Sequence, residues 1–91
     1  MRYIIEDNRV YLINKEKNVL AYVTFPKNDE DTVMITHTYV NDSLRGKGIA
    51  SKLLDLAYDK IKQNNLKVIP VCSYAISYFN KNKNKRDVLK G

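Results

Sequence analysis

Ninety-one residues are enough for one domain and little more, near the size at which a single hydrophobic core only just suffices. With 44% hydrophobic and 29% charged residues, three glycines and two prolines, the composition excludes a disordered chain, and no apolar run approaches the roughly 20 residues of a membrane span. The net charge of +6 is uneven: residues 1–44 carry five Lys/Arg against seven Asp/Glu, residues 45–91 eleven against three. A basic half attracts nucleic acid, acidic protein or a polyphosphate small molecule, and charge alone does not choose among them. The lone Cys72 excludes an internal disulfide and suits a reducing compartment. Met1 to Asn8 carries Glu6 and Asp7 and lacks the apolar core of a secretory signal, so a cytoplasmic location without membrane association is expected.

The first 40 residues read as strands joined by short turns. Tyr3–Glu6 and Val10–Ile13 flank Asp7-Asn8, a tight-turn dipeptide. After the polar turn Lys15–Asn18, Val19, Ala21, Val23 and Phe25 alternate with Leu20, Tyr22 and Thr24 at the period of a strand. Pro26–Asp31 is an acidic loop. Thr32–Val40, β-branched and alternating, predicts one continuous fourth antiparallel strand, with His37 on the same face as Val33, Ile35 and Tyr39. Asn41-Asp42-Ser43 gathers residues that favour caps and turns. Ile49, Leu53, Leu56, Ala57 and Ile61 then recur at helical spacing, widened by Ala50, Leu54 and Tyr58, as in a helix lying across a sheet.

Asn64-Asn65 ends that helix, and Leu66–Ile69 is a short fifth strand. Pro70 donates no ladder hydrogen bond, so pairing should stop or splay there. Ser73–Asn80 predicts a short helix with Ala75, Ile76 and Phe79 inward; from about residue 81 a Lys/Asn-rich tail reads as a solvated terminus. The expected fold is α+β within one domain, 1–91. It is a mostly antiparallel five-stranded sheet with one right-handed parallel strand–helix–strand crossover and a short C-terminal helix.

The chemistry concentrates in Arg45-Gly46-Lys47-Gly48-Ile49-Ala50, between a strand and an amphipathic helix. Two glycines let the backbone pass close to a ligand. The N–H groups that open a helix lack internal partners and lie at its positive end, a ready anion site, with Arg45 and Lys47 beside it. Only Lys47 separates the glycines, which rules out a Walker A loop, and the third glycine of a dinucleotide fingerprint is absent.

Arg45, Gly48 and Ala50 match the R-x-x-G-x-A signature, and the chain resembles the GNAT acetyltransferases. His37-Thr38-Tyr39-Val40 before the turn and Pro70-Val71-Cys72-Ser73-Tyr74 after the fifth strand are similar to a compact subfamily of about this length, so the resemblance spans residues 3–80. It departs at the end, where Asn82-Lys83-Asn84-Lys85 stands in place of a His-Pro and an aromatic residue, and at Asp7-Asn8, where family members carry helices that help cover the substrate.

The resemblance implies acetyl transfer from acetyl-CoA, as co-substrate, to an unidentified amine on a small molecule or protein. It places the pyrophosphate on the amides of Lys47, Gly48, Ile49 and Ala50, with Arg45 and Gly46 shaping the approach. It runs the pantetheine arm beside Tyr39 and Val40, whose strand backbone would polarise the thioester carbonyl. No metal is expected. Cys72, at a probable strand-to-helix junction where a thiol pKa falls, is a candidate acetyl-carrying nucleophile, a contact to the cofactor sulfur, or a packing residue. His37 is a candidate general base or a structural histidine. Tyr74 and Tyr78, one turn apart, are candidate donors to the departing thiolate, Tyr78 the better placed, or core residues; Tyr74 also falls beside the cofactor. Two further readings stand beside the enzyme: an acetyl-CoA sensor of the same fold, and, less favoured, a small basic nucleic-acid binder. An open site leaves room for a partner chain, including a homodimer.

Overall fold

The computed structural model describes residues 1–90. A meander opens the chain: β1 (Arg2–Ile5), β2 (Arg9–Ile13) and β3 (Val19–Thr24) are antiparallel neighbours. The first hairpin is closed by the Glu6 N–H donating to the Arg9 carbonyl at 2.9 Å. The second is held by Asn14, whose side-chain oxygen accepts from the Asn18 N–H at 2.9 Å, with Lys17 in the left-handed region at φ 66°.

The predicted strand 32–40 is two strands. β4 (Thr32–Ile35) pairs in parallel with β6 (Lys67–Pro70), whereas β5 (His37–Val40) pairs antiparallel with β3. The result is a four-stranded sheet in the order β1-β2-β3-β5 and a two-stranded sheet β4-β6, in place of one five-stranded sheet. Thr36, between them, belongs to neither ladder but donates its N–H to the Thr24 carbonyl at 3.1 Å, an extra residue against β3 that shifts the side-chain phase by one. Val33 and Ile35 are buried, but beyond Thr36 the inward positions become Thr38 and Val40, so His37 and Tyr39 emerge on the opposite, exposed face. The expectation that His37 shares a face with Val33 and Ile35 fails for this reason.

Helix α1 (Ile49–Gln63) lies across β2 and β3, and Leu53, Leu54, Ala57, Tyr58 and Ile61 meet Val10, Leu12, Ala21 and Val23 in one apolar cluster. Asn65, at φ 57°, turns the chain back after the helix. The parallel crossover β4–β5–α1–β6 follows the expected course. The last pair of the β4–β6 ladder is Ile35 with Pro70, where the missing N–H predicts an end to pairing.

Helix α2 (Ser73–Lys81) follows. Ala75 and Phe79 are inward as expected, but Ile76 is exposed and Tyr78 takes the third buried position, with 5% of its surface accessible. The tail is no solvated terminus. Lys83–Val88 forms a 3-10 turn, Val88 enters the core, and Leu89 bridges Val68 in parallel with the Lys90 N–H donating to the Val68 carbonyl. Asp87 anchors it by accepting from the Tyr58 hydroxyl at 2.8 Å and pairing with Lys62 at 3.0 Å.

Candidate active site

Past Ile35 and Pro70 the chains part. β5 swings to β3, while the Val71 and Cys72 N–H groups both donate to the Ile35 carbonyl and lead into α2. The cleft so formed has β5 as one lip and the Cys72 junction as the other. The Asn41 N–H donates to the Leu20 carbonyl, which makes Ala21–Val40 a non-hydrogen-bonded pair of the antiparallel ladder. Alternation then turns the amides of Tyr39 and His37 towards β3 and those of Thr38 and Val40 towards the cleft. The second lip contributes Cys72, whose thiol lies 3.3 Å from the Thr38 hydroxyl. Cys72 is the N-cap residue of α2 but makes no side-chain cap bond; part-buried, it packs against the core cluster and its sulfur faces the Thr38 hydroxyl.

At one end of this cleft lies the glycine turn. Asn41 caps the 3-10 turn Asp42–Leu44 by accepting from the Ser43 N–H at 3.0 Å and the Ser43 hydroxyl at 2.9 Å. Gly46 and Gly48 hold φ of 79° and 73°, the left-handed region that only glycine enters without strain, and Gly48 is the N-cap of α1 with no side-chain cap. Among the described residues, none accepts from the N–H groups of Gly48, Ile49, Ala50 or Ser51. The first turn of α1 holds no acidic side chain to compete for them. A cavity of about 320 Å³ is lined by Val40, Leu44, Arg45, Gly46, Gly48, Ile49, Ala50, Ser51 and Tyr74. Such a pocket over free helix-opening amides fits an anionic group.

Arg45, Gly46, Gly48, Ile49, Ala50, Val40 and Tyr74 are therefore brought together as the sequence suggested. Lys47 lies between the glycines with its side chain exposed. Tyr39 takes another place: it stacks on Tyr22 across the sheet, ring centroids 5.5 Å apart, so its side chain lies on the face away from α1 and only its backbone borders the cleft. His37 is on that same face, its Nδ1 3.2 Å from the Thr36 hydroxyl, which in turn lies 3.1 Å from the Thr24 hydroxyl. The Nε2 atom has no partner among the described residues.

The candidate role of Tyr78 as a thiolate donor meets a structural obstacle. Its hydroxyl donates to the Asp55 carboxylate of α1 and accepts from Lys85 at 3.1 Å, and Lys85 also bonds Asp55 at 2.8 Å. Burial, then the Asp55 carboxylate, push the Tyr78 hydroxyl up to about 12. Asp55 itself is raised by burial, but the hydrogen bonds from Lys85 and Tyr78 outweigh that and hold it below the ordinary carboxylate range. The tyrosine of α2 that lines the glycine-turn pocket is Tyr74, 45% exposed. Thr38, Leu44 and Ser51 border the site without belonging to the Arg45–Ala50 motif. Ser51 had a legible signal, being the fourth of the free helix-opening amides, and Thr38 had one only if the phase slip at Thr36 were known.

Residues 5–88 match the family described as GCN5-related N-acetyl-transferase. Among solved structures, the NMR structure of a GCN5-like protein from Staphylococcus aureus is 34% identical, with a TM-score of 0.79 over 99% of this chain and 88% of that one. Tetrahymena GCN5 is 14% identical (TM-score 0.67, 91% of this chain and 59% of that one). The ribosomal-protein-alanine N-acetyltransferase of Brucella melitensis is 21% identical (TM-score 0.60, 91% and 62%). These last two show the shared fold, and the chain spans about three fifths of their length. With the family match running through β5, the glycine turn, α1 and the Cys72 junction, the chain belongs to the GCN5-related N-acetyltransferase (GNAT) family.

Proposed function

We propose that the chain transfers an acetyl group from acetyl-CoA to a primary amine, with the coenzyme pyrophosphate on the glycine turn and the thioester in the cleft between β5 and Cys72. The observation that carries this reading is the continuity of the two. The pocket over the free amides of Gly48–Ser51 shares Val40 with the open edge of β5. The amides of Gly48, Ile49, Ala50 and Ser51 receive the phosphate oxygens, and Arg45 adds charge at the rim. The pantetheine amides continue the ladder on the cleft-facing groups of Thr38 and Val40, where an N–H polarises the thioester carbonyl as negative charge develops on its oxygen.

The amine nitrogen attacks the carbonyl carbon, the C–S bond breaks, and the amine proton leaves to a base. His37 Nε2 is the candidate base for an amine arriving over the exposed sheet face. Tyr74, which lines the same pocket, is the candidate hydroxyl to protonate the departing thiolate. Cys72 supplies a second route. Its thiolate attacks first, coenzyme A leaves, and the acetyl-cysteine then passes the acetyl group to the amine. The Thr38 hydroxyl, 3.3 Å away, is the hydrogen-bond partner beside that sulfur.

Mass spectrometry of the chain with acetyl-CoA, under native and then denaturing conditions, tests both levels. The expected result is a one-to-one complex. An acetyl group that survives denaturation and disappears in Cys72→Ser assigns the two-step route. A complex with turnover but no adduct assigns direct transfer, and a complex with no turnover on any amine leaves an acetyl-CoA sensor. Absence of a complex at millimolar acetyl-CoA overturns the coenzyme reading.

A further inference from the structure

The four-stranded sheet has one face under α1 and, among the described residues, no helix on the other. On that other face the strand registers align Ile4, Tyr11, Tyr22 and Tyr39 in one row across all four strands. The next row is Arg9, Thr24 and His37. Between these rows runs a groove of about 470 Å³ lined by Arg9, Tyr11, Val19, Tyr22, Thr24 and His37. It reaches β5, the strand that borders the cleft.

Arg9 is unusually constrained for an exposed arginine. Its Nε donates to Glu6, its guanidinium lies 4.7 Å over the Tyr11 ring, and the Tyr11 hydroxyl donates to the other Glu6 oxygen at 3.2 Å. Both terminal nitrogens of the fork are without a partner among the described residues. A fixed planar fork with free N–H groups matches a carboxylate. Glu6 cancels the charge of Arg9, so the groove carries no net charge, and the surplus of Lys and Arg lies in the other half of the chain, residues 45–91. That disfavours a polyanion such as RNA and favours a small zwitterion.

Resting on the acetyltransferase reading above, we propose that this groove is the acceptor site and that its occupant is a small primary amine bearing a carboxylate at the far end of a flat or apolar body. The carboxylate meets the Arg9 fork, the body lies over Tyr11 and Tyr22, and the amine reaches His37 beside β5. Arg9 and His37 both oppose Thr24, so they stand two strand spacings apart, roughly 10 Å between Cα atoms. That span fits an amine and a carboxylate at opposite ends of one ring better than the adjacent groups of an α-amino acid.

Calorimetric titration of coenzyme A-saturated protein with 4-(aminomethyl)benzoate tests the assignment. Saturable binding is expected, about tenfold or more weaker for benzylamine, for Arg9→Gln and for Tyr22→Ser, with coenzyme binding retained in both variants. Equal affinity of the probe for wild type and Arg9→Gln, equal affinity for benzylamine, or no binding at millimolar probe overturns the proposal. So does a concentration-dependent dimer that Tyr22→Ser abolishes, because a second copy of the chain would then cover the face. If coenzyme A itself fails to bind, the coenzyme reading falls separately, and the same titration on the free protein still decides the groove.

Discussion

Replacing Tyr78 by Phe separates a structural role from a catalytic one. The change keeps the ring, including its edge-on contact with Phe79 at 5.2 Å, and deletes the hydroxyl that joins α1, α2 and the C-terminal 3-10 turn. A hydrogen bond to a charged group contributes ~1.5–3 kcal/mol. Asp55 is 44% exposed and can recruit water once the hydroxyl is gone, which discounts the loss to the lower end, ~1–2 kcal/mol. For a chain of this length each kcal/mol moves Tm by ~4–8 °C, so Tyr78→Phe should melt about 5–15 °C below wild type. Scanning calorimetry reads that shift, and acetyl transfer at a temperature where both proteins are folded reads the chemistry. The expected rate is within about twofold of wild type, whereas Tyr74→Phe should slow transfer with little effect on Tm. An unchanged Tm for Tyr78→Phe, or a hundredfold loss of transfer by the folded variant, would contradict a structural role for the Tyr78 hydroxyl.

Gly48→Ala meets no atom within 4 Å, so its cost should be the left-handed strain alone, ~1–2 kcal/mol by urea titration. Gly48→Asp adds a negative charge where the pyrophosphate is proposed to lie and should weaken acetyl-CoA binding about 100-fold by calorimetry. Val88→Ala should cost ~2 kcal/mol in the same urea assay, because Val88 is part of the core; a purely solvated tail would show no change. Stability should form a plateau between about pH 5 and 9. Asp55 and Asp87 are held below their ordinary 3.8, so the unfolded chain takes up protons first on acidification, and their contribution is lost as pH falls through the folded values. Tyr78 keeps its proton up to about 12 when folded but releases it near 10 when unfolded, so stability also falls as pH rises across that window. Lys85, raised by Asp55 and then by Tyr78, acts in the same direction. Urea midpoints across pH test this, and an acid limb unaltered in Asp55→Asn/Asp87→Asn would contradict it.

The glycine turn was legible because its chemistry is local. Two glycines, a cap cluster before them and an amphipathic run after them specify a helix N-terminus without reference to any other part of the chain. The end of the β4–β6 ladder at Pro70 was legible for the same reason. The break at Thr36 was not. Thr32–Val40 alternates without a Gly or Pro to mark a slip, and which strand each half joins is decided by β3 on one side and β6 on the other. That slip moves His37, Thr38 and Tyr39 between faces, so the geometry of the glycine turn is legible in the sequence where the surroundings of His37 and Tyr39 are not.

Helix α2 illustrates a second limit. Ala75, Tyr78, Phe79 and Ala75, Ile76, Phe79 are both helical faces, and hydropathy favours the one with Ile76. The partners that admit the Tyr78 hydroxyl to the interior are Asp55, twenty-three residues before it, and Lys85 in a tail whose composition reads as solvent-facing. The docking of that tail depends on Val88, Leu89 and Asp87 finding α1 and β6, long-range contacts that no local window contains.

In the proposed reading one continuous site runs from the helix-opening amides to the cleft edge of β5. Titration of ¹⁵N-labelled protein with acetyl-CoA, followed by amide NMR, reads it most directly. Saturable shifts are expected at Gly48, Ile49, Ala50 and Ser51 together with Thr38 and Val40, while the β1–β2 hairpin stays in place. Shifts confined to the Lys-rich tail, or none at the turn at millimolar ligand, would contradict it.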